Sequence, residues 1–291
     1  MTIKTVNMLW DEYKARRVVG MKTAKERERI YETYIRAPLG SKNVLKVHFE
    51  TLDTFHVGMK EMPVQANRIM SLLRSMFKFA QALRWLPPGY TAPQHVKLFP
   101  EHKRRRHLTP SEAPRIATAI RNLEKIHPSA CLYLWLLIFT GARPGEIHKA
   151  RWMDKEGNVI TLAEHKTDHT GVPRIITLPP AAQDKIHELF PFGGHPKARI
   201  VQDTYANIQY VWGKVRVTAK CSDLRMYDLR HTFATYALEN GYSLDQIGEA
   251  LGHTNAQTTK IYAEMNLRSR KKMAGDVHLA ILKDMNIEAL M

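Results

Sequence analysis

The spacing of apolar side chains is typical of helices over most of the chain. Pro63 opens the clearest example, because apolar residues then recur every three or four positions from Ile69 to Leu83. Two short segments, Val159–Leu162 and Arg174–Leu178, instead alternate or are β-branched. The pattern therefore predicts a mainly α-helical protein with a small β-sheet.

Prolines divide the chain into two predicted domains. Residues 1–88 carry helical periodicity and predict a small helical bundle. Residues 89–108 contain several prolines and a basic run, and we expect them to form an irregular linker. Residues 109–291 form the second predicted domain, which contains both strands and ends in an amphipathic helix within 277–290.

Composition narrows the class of partner. The net charge of the 291 residues is +16, which favours an anionic partner, above all nucleic acid. The longest apolar run, Ala130–Phe139, is too short to span a bilayer, and no signal peptide is recognisable, so we expect a cytoplasmic protein without membrane contact. Cys131 and Cys221 are too far apart to indicate a disulfide framework or a zinc site, and His165 and His169 lie in a predicted hairpin, which disfavours a metal site.

Residues 227–262 predict three short helices with well-defined ends. Asp228 is the expected N-cap of the first helix, and Ser243 with Gln246 forms a capping box for the second. The segment presents three chemically capable side chains: Arg230, His253 and Tyr262. Because Arg230 lies in a first helical turn, free backbone N–H groups and the helix dipole favour a phosphate beside it.

Two further cations precede this segment. Arg143 comes just before Pro144 at the start of a predicted short helix, where the helix dipole disfavours a positive charge. Either a bound anion or an ion pair with Glu146, three residues on, accounts for it, and we expect both, with Glu146 supporting Arg143. Lys166 lies between the two predicted strands, near a hairpin tip from which it can reach into a groove.

These residues carry a resemblance to a known family. The stretch RHTFAT, then LGH, then a tyrosine nine residues after that histidine resemble the C-terminal signature of tyrosine recombinases (phage integrases). Upstream, TGARPGEI and HKT match the arginine and the lysine of the same family. The resemblance is close over roughly residues 109–265 and looser over the first hundred. It implies a tyrosine-recombinase catalytic domain preceded by a helical core-binding (SAM-like) domain.

The resemblance also implies a role for each matching residue. Tyr262 would attack a DNA phosphodiester, giving a 3′-phosphotyrosine and a free 5′-hydroxyl. Arg143 and Arg230 would bind the phosphate oxygens. Lys166 would protonate the leaving 5′-oxygen, and His253 would hydrogen-bond the scissile phosphate or assist proton transfer. Because the covalent link conserves the bond energy, no ATP, metal or other cofactor is expected.

One position departs from the family pattern, since Tyr227 stands where the family usually has histidine. A phenol donates a hydrogen bond to phosphate but is a poor base near neutrality. Tyr227 therefore either retains a hydrogen-bonding role in catalysis or is a packing residue beside Asp228. We favour the hydrogen-bonding role.

Double-stranded DNA carrying specific recombination sites is the expected partner. Phosphate contacts would come from two basic groups. They are Arg68, Arg74 and Lys78 on the long N-terminal helix and Lys103, Arg104, Arg105 and Arg106 in the linker. Such groups are equally typical of a solvated surface. The family implies a homo-oligomer on DNA, four protomers in the synapse and a location in the bacterial nucleoid, and it leaves open an accessory DNA-bending or directionality protein.

The sequence favours one function over two alternatives. The order of the motifs predicts a site-specific recombinase that integrates or excises a phage or another mobile element. A type IB topoisomerase shares the chemistry, but the compact first domain and the LGH–tyrosine spacing favour a recombinase. A non-catalytic DNA-binding regulator of the same fold is the third hypothesis, against which the intact arginines, lysine, histidine and tyrosine argue.

Overall fold

The chain folds into two compact units, residues 1–103 and 104–291. The structure, a computed structural model, describes residues 3–90, 92–101, 104–163 and 172–253. Helices dominate both units, and the described strands form one small sheet in the second. The predicted fold class, mainly helical with a small sheet, is therefore confirmed. The boundary between the units falls inside the segment predicted as a linker.

The first unit is a bundle of helices around its own apolar core. Its helices are α1 (Val6–Tyr13), α2 (Ala24–Ile30), α3 (Arg36–Leu39), α4 (Phe49–Val57), α5 (Pro63–Ala82) and α6 (Ala92–His95). The long α5 begins at Pro63 as predicted, since proline is tolerated in a first helical turn, where no backbone donor is needed. Trp10 stacks on Tyr31 at 4.3 Å in this core, and α5 buries the apolar face that its periodicity predicted.

The residues just before the boundary are more ordered than the sequence predicted. The prolines were expected to exclude regular structure, yet α6 forms because Pro93 lies in its first turn. Arg74 of α5 donates hydrogen bonds to the carbonyls of Pro93 (2.9 Å) and Val96 (2.8 Å), and Val96 is buried in the first core. Residues 92–96 therefore belong to the first unit.

The second unit combines helices with a three-stranded antiparallel sheet of order β1-β2-β3. Its helices are α7 (Ala113–Glu124), α8 (Pro128–Thr140), α9 (Pro144–Lys149), α10 (Pro180–Leu189), α11 (Tyr205–Thr218), α12 (Met226–Glu239) and α13 (Leu244–Leu251). The strands are β1 (Lys155–Glu156), β2 (Val159–Leu162) and β3 (Arg174–Thr177). The β2–β3 register places Ile160 opposite Ile176, and both face the core.

Helix α8 is the centre of the second core. It is apolar on every face and almost wholly buried, as its sequence predicted. It ends at Gly141, which adopts a left-handed conformation with φ of +61°. A Cβ on Gly141 would lie 2.6 Å from Cγ of Phe233, so the glycine also lets α12 pack closely against the end of α8. This close packing places α12, the helix that carries Arg230, beside the C-terminal end of α8.

Candidate active site

Arg230 is held at the junction of two helix ends. Its guanidinium donates one hydrogen bond to the Gly141 carbonyl (3.0 Å) and another to the Leu251 carbonyl (2.8 Å). These carbonyls belong to the C-terminal ends of α8 and α13, where backbone acceptors lack helical partners and the dipole is negative. Arg230 is only 1% exposed. Its position is thus fixed by backbone groups of two other elements.

Arg143 and Glu146 form the ion pair that the sequence predicted. The Arg143 Nη1 donates to the Glu146 carboxylate at 2.6 Å, and the backbone N–H of Arg143 donates to the same carboxylate at 3.0 Å. The second guanidinium nitrogen of Arg143 donates to the Gly252 carbonyl at 3.1 Å. Glu146 therefore offsets the unfavourable position of a cation at the start of α9 and aims it at the end of α13.

Arg174 is a third arginine of the site, and it was not among the residues predicted from the sequence. Its side chain is buried, its Nε lies 3.4 Å from Glu146, and its Nη2 donates to the Ala250 carbonyl at 2.8 Å. One signal could have revealed it. In the alternating pattern of β3, Arg174 falls on the same face as the buried Ile176, where an arginine needs buried partners.

His253 follows the turn that ends α13. The predicted capping box of this helix is confirmed, with Ser243 and Gln246 exchanging hydrogen bonds at 2.9 and 3.2 Å. Gly252 closes the helix with φ of +68°, and the backbone N–H of His253 donates to the Gly248 carbonyl. Burial, with the positive charges of the three neighbouring arginines, lowers the pKa of the half-buried His253 to about 4. Its imidazole is therefore neutral at physiological pH.

Positive charge exceeds negative charge in this site. We name Arg143, Arg174 and Arg230 the arginine cluster; among the described residues, Glu146 is the carboxylate paired with it. Burial opposes ionisation of Glu146, but the Arg143 hydrogen bonds and the charge of Arg174 hold its pKa below the usual value. A buried excess of cations is costly unless an anion or dipoles offset it. Helix-end carbonyls offset part of the cost, and the arrangement suits a phosphate.

Tyr227 lies near this cluster in sequence but at the protein surface. It is 46% exposed, in the first turn of α12, and its ring meets that of His231 edge to face at 5.5 Å. The prediction that Asp228 is the N-cap of α12 is wrong, because the N-cap is Arg225, three residues earlier. Its carboxylate instead accepts the backbone N–H of Arg225 at 2.8 Å, the other half of a capping arrangement.

Among the described residues predicted to contact DNA, Arg68, Lys78, Arg104 and Arg105 are exposed. Arg74 is instead committed to the carbonyls of residues 93–96. Arg104 and Arg106 are also engaged within the protein.

Both of these linker arginines pair with carboxylates. Arg104 pairs with the buried Asp228 at 3.0 Å, and Arg106 pairs with Glu112 at 2.6 Å and with Asp223 at 2.8 Å. Carboxylates of the second unit thus attract a run that was predicted to contact DNA.

Three predicted site residues, Lys103, Lys166 and Tyr262, lie outside the described residues. Within the described ranges, no helix is long and apolar enough to cross a membrane. No group of three or more His, Cys, Asp or Glu side chains within the same ranges could hold a metal ion.

Known sequences similar to this chain are recombinases. Residues 106–268 match the profile of the phage integrase family. Tyrosine recombinase XerD of Staphylococcus saprophyticus is 34% identical over 74 residues, and XerD of Staphylococcus aureus is 31% identical over the same length. Each alignment covers 24% of this chain, and it spans only about a quarter (25%) of the relative's own length.

Solved structures share the fold over a much longer stretch. A lambda integrase dimer bound to a COC′ core site superposes with a TM-score of 0.73 and 19% identity, over 91% of this chain and 97% of that chain. A Tn1549 transposon integrase in complex with circular intermediate DNA gives a TM-score of 0.76 and 18% identity, over 95% and 100%. The profile spans more than half of this chain and includes the whole arginine cluster. The chain therefore belongs to the phage integrase (tyrosine recombinase) family.

Proposed function

We propose that this protein is a site-specific tyrosine recombinase that cleaves and rejoins DNA through a 3′-phosphotyrosine, and that it integrates or excises a phage or another mobile element. The observation that carries the proposal is the convergence of Arg143 and Arg230 on adjacent carbonyls directly before His253. A phosphodiester is the anion that such a site would bind in a family of DNA recombinases. The DNA-bound integrases of similar fold agree with this assignment.

In the proposed reaction, the arginines stabilise charge on the phosphate. Two guanidiniums at the non-bridging oxygens would offset the negative charge that grows in the transition state. Arg230 is buried, so little water would screen its attraction to the phosphate. Glu146 would hold Arg143 in one orientation, and the carbonyls at two helix ends would do the same for Arg230.

The residues that would make and break covalent bonds, Tyr262 and Lys166, lie outside the described ranges. The Tyr262 hydroxyl would release its proton to solvent as its oxygen attacks phosphorus and expels the 5′-oxygen, which Lys166 would protonate. Reversal by a 5′-hydroxyl of a second duplex would restore the phosphodiester and exchange the strands. In the free protein His253 is neutral, so it would offer an N–H to an incoming phosphate.

DNA would be held by both units. Arg68 and Lys78 are exposed on α5 of the first unit, and Arg105 is exposed at the start of the second. Such contacts would supply sequence-independent affinity through phosphates. Solved lambda integrases include a dimer on a core site and a tetramer on a Holliday junction. We propose that this protein likewise acts as an oligomer, with four protomers in its synapse.

A covalent-trapping experiment tests the proposal and identifies the target site at the same time. The protein is incubated in EDTA with randomly nicked genomic fragments from the organism that encodes it. A cleavage near a nick releases a short strand and traps the adduct. Covalent complexes are isolated under denaturing conditions, and their DNA is sequenced. We expect one or a few loci to be strongly enriched, with no adduct from the Tyr262→Phe variant.

Each other outcome overturns part of the proposal. Adducts spread evenly over the genome would indicate a topoisomerase. Tight binding to DNA without any adduct would indicate a non-catalytic regulator. Persistence of the adduct in Tyr262→Phe would assign the nucleophile elsewhere. Once a locus is recovered, two labelled duplexes carrying it should yield recombinant products without ATP or metal.

A further inference from the structure

Arg174 has no role in the reaction described so far, yet it is among the most constrained side chains of the site. It is 5% exposed and makes three polar contacts. Its Nη2 donates to the Ala250 carbonyl, its Nε faces Glu146 and its Nη1 donates to the Ile175 carbonyl. Burying a guanidinium is costly, and an apolar side chain would fill this strand position without that cost. The fold alone therefore does not explain why an arginine lies here.

The glycine of the LGH motif packs directly on Arg174. A Cβ on Gly252 would lie 2.7 Å from both Cδ and Nε of Arg174, closer than a Cβ atom approaches other heavy atoms. Gly252 also has φ of +68°, which glycine adopts without strain. The shape of the turn before His253 and the position of the Arg174 side chain therefore depend on each other.

Three consecutive carbonyls at the end of α13 are each bonded to one arginine. Ala250 accepts from Arg174, Leu251 accepts from Arg230, and Gly252 accepts from Arg143. Carbonyls in a last helical turn have no helical donor, so these guanidiniums replace the missing partners. Arg143 and Arg230 would also bind substrate. All three guanidinium nitrogens of Arg174 instead contact protein groups.

We propose that Arg174 is a positioning residue that holds the turn carrying His253 at the scissile phosphate. It acts through the Ala250 carbonyl, and its ion pair with Glu146 holds its own side chain in place. The effect on cleavage rests on the proposed recombinase function, but the effect on His253 is a property of the free protein.

The first test measures His253 in the absence of DNA. The imidazoles are labelled with 13C and titrated by NMR, and the His253 signal is assigned from the His253→Ala variant. His253 faces Arg143 and Glu146 from α9, Arg174 from β3 and Arg230 from α12. In Arg174→Ala the turn should loosen and one guanidinium is lost. We expect the pKa of His253 to rise from about 4 toward the ordinary value of histidine.

Arg216→Ala is a matched control. Arg216 also donates to backbone carbonyls, those of Ser222 (2.8 Å) and Leu224 (3.1 Å), but not to the turn before His253. We expect this variant to leave the His253 titration unchanged. An unchanged titration in Arg174→Ala would overturn the proposal, and so would an equal shift in the control.

The second test is a double-mutant cycle on single-turnover cleavage of a nicked duplex carrying the recovered locus. We expect Arg174→Ala to slow cleavage by about 10²-fold, because small displacements of catalytic groups have effects of that size. Added to His253→Ala, it should slow cleavage by no more than about twofold further, since the two residues act as one unit.

Multiplicative losses in the cycle would mean that Arg174 acts independently of His253 and would overturn the proposal. Should Arg174→Ala fail to fold, Arg174→Lys replaces it in both tests. Lysine keeps the charge but cannot bridge Ala250 and Glu146 together, so a rise in the pKa of His253 in this variant reports on the turn alone. If the wild-type protein forms no adduct at all, the proposed recombinase function fails, while the titration still decides whether Arg174 holds the turn.

Discussion

Two groups of arginines in the second unit differ in how far carboxylates balance their charge. In the basic run at the start of the unit, Arg104 has the buried Asp228 as a partner and Arg106 has Glu112. The arginine cluster of the site instead shares Glu146 as its carboxylate among the described residues, with helix-end carbonyls as its other partners. Carboxylates therefore balance the charges of Arg104 and Arg106, whereas the cluster keeps an excess that a phosphate can neutralise.

The difference between the two groups shows that charge density along a sequence is a poor guide to where an anion binds. Adjacent arginines stand out in the sequence, but carboxylates that surround them in the fold neutralise them. The cluster is inconspicuous in the sequence because its members lie on a helix start, a strand and another helix. Folding brings them together at the end of α13, where few carboxylates compete with a substrate.

The largest effect should follow from the loss of Arg230. In Arg230→Ala, the carbonyls of Gly141 and Leu251 lose a buried donor and the phosphate loses a charged one. We expect single-turnover cleavage of the recovered site to fall by about 10²- to 10³-fold. Arg216→Ala, which also removes an arginine from backbone carbonyls, should cleave normally. Equal cleavage by wild type and Arg230→Ala would show that the arginine cluster takes no part in the reaction.

A second variant changes the charge balance itself. Glu146→Gln keeps the shape of the side chain but leaves its arginine partners without a carboxylate. We expect the free energy of unfolding to fall by about 3 kcal/mol, because one member of a buried ion pair is lost. Urea unfolding at neutral pH measures this fall. Inorganic phosphate should restore part of the stability by occupying the cluster.

The control for this variant is Glu188→Gln, since Glu188 is 62% exposed and pairs with Lys185 at the surface. It should change stability by less than about 1 kcal/mol. Glu146→Gln that is as stable as wild type, or that does not respond to phosphate, would show that the cluster has no excess charge to neutralise.

Smaller effects should separate the members of the basic run. Arg105 is exposed, so Arg105→Ala should lower the slope of log affinity against log salt concentration by about one. Arg106 is paired with Glu112 and Asp223, so Arg106→Ala should leave the slope unchanged and lower the free energy of unfolding by about 1 kcal/mol. Fluorescence anisotropy over a range of salt concentrations distinguishes them. A reduced slope in Arg106→Ala would contradict the inference that its carboxylate partners neutralise Arg106.

Local rules predicted the parts of the site that depend on neighbours in sequence. The capping box of Ser243 and Gln246 and the pair of Arg143 with Glu146 each join residues three positions apart, and both are present. The helical periodicity of α5 and the alternation of β2 and β3 were likewise sufficient to predict those elements.

Contacts between distant segments could not be predicted in this way. Arg174 meets Ala250 across 76 positions, and Arg104 meets Asp228 across 124. No local rule distinguishes an arginine that will face DNA from one that will donate to a nearby carbonyl. Arg74, which was predicted to contact DNA, donates to the carbonyls of Pro93 and Val96. Asp228 was misplaced by three residues because a carboxylate stabilises a helix start both as N-cap and at the third position.

The smallest effect is expected at Tyr227, the position that departs from the family pattern. Tyr227→Phe keeps the edge-to-face contact with His231 and removes only the hydroxyl, so a loss of cleavage reports on a hydrogen bond and not on packing. We expect cleavage to fall by about fivefold, the value of one neutral hydrogen bond. Tyr227→His restores the residue usual in the family and should cleave at least as well as wild type. If Tyr227→His is inactive while Tyr227→Phe is normal, the phenol takes no part in catalysis, and the ring of Tyr227 serves only to pack against His231.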